Sequence, residues 1–327
     1  MLIRYFLDFL FFKSAQIIRR LSFLIYLVFL SSFLIQRGYA EDEPFIVFDS
    51  FEGFDNKPDT SIYGMKPSHN NASSMFAGIG PDVDIHTLSE TNTRALARQM
   101  ADTRQKQQTL VIDIEHWRMD IRSVPETEVA LNIAKFKQII RWLKDEWSNI
   151  PCDQDHLCTP LTRKVGIYMI LPTRDFWAPY RYLFALEQNP PPQDLPALKQ
   201  EYEKWQMQNE RMRELADDTN LLDNIDDGVD FICPSLYNFY QDGGTVTFPN
   251  DNAVEAWKRY AIANIQEARR YGKPVYPYLW FRFHDRARGY PLLPDDLWLT
   301  QLELVRKYAD GVIIWGGWDI IPGGCLR

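Results

Sequence analysis

Asp113 and Glu115 stand two residues apart at the end of an apolar run, in the stretch TLVIDIEHWRM at residues 109–119. On an extended strand, residues two apart point to the same side, so both carboxylates would face one cavity about 6–7 Å apart. Like charges at that separation repel, and a low-dielectric setting enlarges the repulsion. The least costly relief is for one carboxyl to keep its proton. A proton-bearing acid beside an ionised partner is the pair that cleavage of a glycosidic bond requires. Carboxylates adjacent on one strand suit the substrate-assisted scheme, in which the acid protonates the leaving oxygen and its neighbour orients an acetamido group of the substrate for attack on the anomeric carbon. Trp117, just beyond, offers a ring on which a sugar could stack. The plain alternative pairs Asp113 with Arg118 or a turn and leaves Glu115 idle at the rim. Another couples Glu115 with a distant carboxylate, Asp230 or Asp285, in a two-carboxylate mechanism that needs no acetamido group.

Such a pair needs a scaffold that brings strand ends together. Short β-rich apolar runs at 45–49, 110–115, 165–171, 229–235, 275–280 and 312–315, with a weaker one at 75–79, alternate with helical patterns at 91–107, 127–147, 195–217, 253–271 and 295–308. Strand–helix alternation implies parallel strands covered by helices. No glycine-rich turn follows an early strand, which removes the nucleotide-binding signature of an open doubly wound sheet. Polar and aromatic residues recur instead at strand ends: Asp49, Asp113, Glu115, Tyr237, Asp285, Trp315 and Trp318. Functional groups drawn from the ends of many strands are the habit of a closed barrel. The expected fold is an irregular TIM-like (β/α) barrel of about seven to eight parallel strands.

The 327 residues divide at about residue 40. Arg19 and Arg20 precede LSFLIYLVFLSSFLI (21–35), an uncharged run with the length of a signal-peptide core, and Gly38-Tyr39-Ala40 supplies small residues for a cut. The expectation is an exported protein with a signal peptide or uncleaved anchor at 1–40 and one catalytic barrel at 41–327; a membrane would be met only through the uncleaved segment. Removing residues 1–40 takes away Arg4, Lys13, Arg19, Arg20, Arg37 and Asp8, which moves the formal charge from −8 to −12. So acidic a body starts any approach to nucleic acid against repulsion. Cys152 and Cys158 are spaced for a local disulfide suited to an exported protein, Cys233 reads as a buried thiol, and a bond from Cys233 to Cys325 stays open. Five histidines without H-E-x-x-H or H-x-H spacing make no metal site, and no G-x-S-x-G elbow supplies an esterase nucleophile.

The strand 111–118, VIDIEHWR, resembles the signature of the hyaluronidase family of glycoside hydrolases, Asp–aromatic–Glu–x–Trp–Arg–Pro, with Ile114 in place of the aromatic and Met119 in place of the proline. Pro234-Ser235-Leu236-Tyr237 is similar to the family's Pro-Ser-Ile-Tyr, and Pro274-Val275-Tyr276-Pro277-Tyr278, with Phe283 and Asp285 beyond, to its late strand. Asp310-Gly311-Val312-Ile313-Ile314-Trp315-Gly316 resembles its last strand, and Gly166-Ile167-Tyr168 with Leu171-Pro172 loosely echoes Gly-Tyr-Tyr and Phe-Pro. The resemblance covers residues 109–320. It implies Glu115 as proton donor, Asp113 as the carboxylate that orients the acetamido group, and Tyr237 as a further holder of that group. Trp315 would floor the sugar site, and Tyr278, Tyr168, Trp280 and Asp285 would line the groove with Trp117. It implies no cofactor and a glycan substrate. Trp280 stands where the family usually has arginine, which, with the charge of −12, points away from a polyanionic glycan toward a neutral one bearing N-acetylhexosamine. A carbohydrate-binding barrel with decayed catalysis is the alternative from another class.

Overall fold

The computed structural model describes residues 44–51, 59–71, 75–77, 84–102, 108–149, 163–218, 221, 228–238, 253–284 and 289–317. Seven strands form one sheet: β1 (Ile46–Ser50), β2 (Lys66–Asn71), β3 (Gln108–Ile112), β4 (Arg163–Tyr168), β5 (Phe231–Cys233), β6 (Tyr278–Trp280) and β7 (Gly311–Trp315). Their order is β5-β4-β3-β2-β1-β7-β6, and every pairing is parallel. The ends of that order meet. Ile232 N–H donates to Pro274 O at 2.9 Å, Tyr276 N–H to Ile232 O at 2.9 Å, and Leu236 N–H to Tyr278 O at 3.0 Å, which stitches β5 to the segment leading into β6. The chain is therefore a (β/α) barrel, as the alternation of elements implies.

Among the described residues six α-helices cover it: α1 (Glu90–Asp102), α2 (Glu126–Asn149), α3 (Trp177–Glu187), α4 (Leu195–Asp218), α5 (Ala253–Arg269) and α6 (Asp295–Tyr308). Strand residues alternate between two apolar layers, as period-2 geometry demands. Leu110, Ile112, Val165, Ile167 and Val312 face the helices and pack with Ile133, Phe136 and Ile140 of α2. Phe48, Val111, Tyr168, Phe231, Cys233 and Ile313 fill the barrel interior. Gly166 is part of that filling: a Cβ there would lie 2.1 Å from the Phe231 ring, so the ring crosses the barrel only over a glycine.

One expectation is corrected. In the weak strand at 75–79, the described residues 75–77 join no strand of the sheet, and Phe76 makes an isolated antiparallel bridge to Leu88. The strand in its place is β2, KPSHNN, which has no apolar residue to betray it. Its proline is tolerated because pairing to β1 is thin there, Phe48 with Lys66 and Asp49 with Pro67 only. Helix α3 also escapes the apolar pattern. Pro179 sits in its first turn, where a missing N–H costs nothing, and Asp175 Oδ1 accepts the Ala178 N–H at 2.9 Å to start it. Cys233 is a buried free thiol, its pKa raised by burial, and Cys325, the partner left open for it, lies outside the described residues. Cys152, Cys158 and the whole of 1–40 lie outside the described residues.

Candidate active site

The strand that carries the carboxylates stops earlier than its sequence suggests. β3 ends at Ile112, Asp113 is the first residue past it, and Glu115 lies in a turn. Asp113 keeps the inward parity of Thr109 and Val111 and is half-buried, whereas Glu115 is exposed at the rim. The turn is held from outside the barrel. Trp117 Nε1–H donates to Ile85 O at 3.0 Å, and His116 Nε2 lies 3.2 Å from the same oxygen. Trp117 is 1% exposed, edge-on to Phe136 at 5.2 Å and to Phe76 at 5.8 Å. A ring so enclosed offers no face to a sugar; its place is to anchor the turn that presents Glu115.

Asp113 sits among phenols. Its charge and that of Glu115 both act on Tyr168, and Asp113 also acts on Tyr237 and Tyr278. Burial, the first cause in each, lifts all three phenols above their ordinary range, so they remain neutral donors. The Tyr168 hydroxyl donates to Ser235 Oγ at 3.1 Å, and Arg174 Nη1 donates to the same oxygen at 3.3 Å. Arg174, in the loop after β4, thus brings a positive charge to the mouth that no motif announces, its neighbours being Thr173 and Asp175.

Burial raises the Asp113 carboxyl to about 6, the Glu115 charge adds to the rise, and a hydrogen bond from Asn70 opposes it. Asn70 Nδ2 donates to Asp113 Oδ2 at 3.2 Å, so the recorded partner of Asp113 is Asn70 of β2 and not Arg118. The second oxygen, Oδ1, is buried without a hydrogen-bond partner among the described residues. Asn70 escaped the sequence reading along with its strand.

Aromatic rings make the opposite wall. Tyr237 lies nearly parallel to Trp315, centroids 5.4 Å apart at 16°, and to the His284 ring, 6.1 Å at 14°. Trp315 is half-buried, so part of its ring is open to the mouth. Trp280 is not: at 0% exposure it lies beneath, 4.8 Å from Trp315, with Gly317 against its face and its Nε1–H on Gly316 O. It supports the floor instead of lining it. Tyr278 is likewise enclosed, with its hydroxyl next to Ser68 and Asp113. Asp285 and Trp318 lie outside the described residues.

Other proposed carboxylates fall away from the mouth. Asp230 precedes β5 at the far end of the barrel, where its Oδ2 accepts the Val165 N–H at 2.8 Å and its Oδ1 the Lys144 ammonium at 3.1 Å. It cannot join Glu115 in a two-carboxylate mechanism. Asp49 faces outward and accepts the Thr60 hydroxyl. No group of three or more His, Cys, Asp or Glu that could hold a metal occurs among the described residues.

No protein-family model and no curated protein matches the sequence. Among solved structures, the chain is similar to bee venom hyaluronidase, at 16% identity and a TM-score of 0.45 over 84% of this chain and 91% of that one. It is similar to an endo-β-1,4-mannanase of Cellulomonas fimi at 10% identity and 0.41, over 81% of this chain and 53% of that one. A glycoside hydrolase family 5 enzyme of Prevotella bryantii gives 10% identity and 0.43, over 78% and 65%. Likenesses at this level, all with TM-scores under 0.5, carry no information about what this chain acts on.

Proposed function

We propose that the protein is an exported glycoside hydrolase that cleaves a neutral glycan at an N-acetylhexosamine, endo-acting and retaining by substrate assistance. The observation that carries the reading is the environment of Asp113: a half-buried carboxylate whose charge acts on three buried, neutral phenols, with one oxygen unpartnered, beside an exposed carboxyl two residues on. An acetamido N–H is the partner that Oδ1 lacks. Once ionised, Asp113 accepts that N–H, turns the acetamido oxygen toward the anomeric carbon and offsets the positive charge that develops as the oxygen attacks. Glu115, at the rim, protonates the leaving oxygen and afterwards takes a proton from water. Tyr237 supplies a donor near the acetamido group, and the open part of Trp315 stacks on the sugar. The ordered motif matches at 111–118, 234–237, 274–278 and 310–316 support the same reading.

A turnover screen tests it. The mature protein is incubated with chitin oligomers, hyaluronan and peptidoglycan fragments, in parallel with Glu115→Gln, which keeps shape and hydrogen bonding but removes the acid. Cleavage of chitin oligomers by the parent, with binding but no turnover in the variant, is the expected result. Cleavage of hyaluronan alone would overturn the neutral-glycan preference. Binding without turnover in the parent, across all three, would leave a carbohydrate-binding barrel.

A further inference from the structure

β2 contributes only polar side chains to the barrel interior: Ser68, 1% exposed, and Asn70 two residues on. The register sets Asn70 beside Val111, one inward position below Asp113. With Asp113 ionised, its amide lies one way. With Oδ1 turned to Asp113, two acceptors would face each other; with Nδ2 there, a donor meets a carboxylate, as the 3.2 Å contact has it. That choice commits Oδ1 to the other side, where it is buried and meets no donor among the described residues, like Asp113 Oδ1. Two adjoining acceptors enclosed without donors are costly unless something that enters the mouth supplies them.

Resting on the glycosidase reading above, we infer that Asn70 is the positioning residue of the site: its Nδ2–H fixes Asp113 so that Oδ1 meets the acetamido N–H, and its own Oδ1 accepts a hydroxyl of the same sugar. A glycan's donors are its amide N–H and its hydroxyls, and Asp113 takes the former. An amide has no titration of its own, so the hold on Asp113 changes only as Asp113 itself gains or loses its proton. The titratable groups that face Asp113 are Glu115 from the following turn, Tyr168 of β4, Tyr237 after β5 and Tyr278 of β6, and none of them donates to it in the described contacts.

The first reading needs no glycan. In the intact protein, the Asn70 side-chain amide, followed by ¹⁵N NMR, titrates with the same midpoint as the Asp113 carboxyl, followed by ¹³C NMR and assigned with Asp113→Asn. In Asn70→Ala the Asp113 midpoint rises by about 0.5 or more, because a donor favouring the charged form is gone. An amide blind to Asp113, or an unmoved midpoint, overturns the inference whether or not any glycan is cleaved. The second reading uses N-acetylglucosamine tetramer as the probe: Asn70→Ala raises KM and lowers kcat, each by about tenfold. An unchanged KM removes the acceptor role. A parent that neither binds nor cleaves the tetramer, with the NMR coupling intact, sinks the glycosidase reading and the acceptor role while the orienting role stands.

Discussion

Asp230 and Asp310 at one end of the barrel, and Asp113 at the other, are all carboxylates set against strand ends, yet they are held in opposite ways. Asp230 and Asp310 each precede a strand and each spends one oxygen on the N–H of a neighbouring strand, Val165 and Val275, both at 2.8 Å. Each spends the other on a cation from a covering helix, Lys144 at 3.1 Å and Arg269 at 3.0 Å. Their hydrogen-bonding capacity is filled within the fold. Asp113 has one amide donor, an acidic neighbour, and a buried oxygen with nothing on it. A barrel that satisfies its carboxylates so fully at one end leaves one short at the end where strand-end side chains converge. Such a deficit is what a ligand fills.

The contrast predicts opposite responses to substitution. The largest effect is on turnover. Glu115→Gln lowers kcat on N-acetylglucosamine tetramer by on the order of 10²–10⁴-fold with little change in affinity, whereas Asp230→Ala leaves kcat within about twofold of the parent. A comparable loss in both would erase the distinction between the two ends. Next comes stability at the satisfied end. Asp230→Ala strands the nearly buried Lys144 ammonium and an interior N–H, which costs about 2–4 kcal/mol and shows as a lower denaturant midpoint.

At the deficient end, stability should move the other way. The Asp113 carboxyl lies at about 6 in the fold against an ordinary value of 3.8. The folded state therefore holds that proton more tightly than the unfolded chain does. Stability falls as pH rises from about 4 to about 6, and the penalty, at most about 3 kcal/mol, persists above. Asp113→Asn removes the charge and is expected to raise Tm at pH 7.5 by about 3–6 °C, with the gain gone below pH 4. A smaller effect sharpens the view of Trp117. If it anchors the turn and does not touch sugar, Trp117→Phe, which loses the bond to Ile85 O, lowers kcat by about threefold to tenfold through a looser Glu115 and leaves KM unchanged. A rise in KM alone would return it to the groove.

Most of this architecture was legible in the chain because apolar strands and amphipathic helices announce themselves by period. Leu110–Ile112 and Val312–Ile314 are read directly, and helix α6 begins and ends at the residues its pattern implies. β2 was not, since KPSHNN has no apolar alternation and gains its place from the ladders on either side. The loss mattered most at the site, because Asn70 is on that strand. The aromatic residues show the opposite failure. Trp117, Trp280 and Tyr278 have the side chains of a sugar platform, but sequence cannot say which face of a ring is covered, and all three are enclosed. Parity told that Asp113 faces inward; it could not tell that the strand ends at Ile112, short of the expected Glu115, and leaves Glu115 at the rim.

The account turns on Asp113 having to be ionised while a neighbouring acid delivers the proton. The pH dependence of kcat/KM on N-acetylglucosamine tetramer examines that directly, in the parent and in Asp113→Asn. An acidic limb with its midpoint near 6 in the parent, missing from the residual activity of the variant, is the predicted result. A parent profile with no inflection near 6, or one that the variant reproduces at full rate, would contradict it.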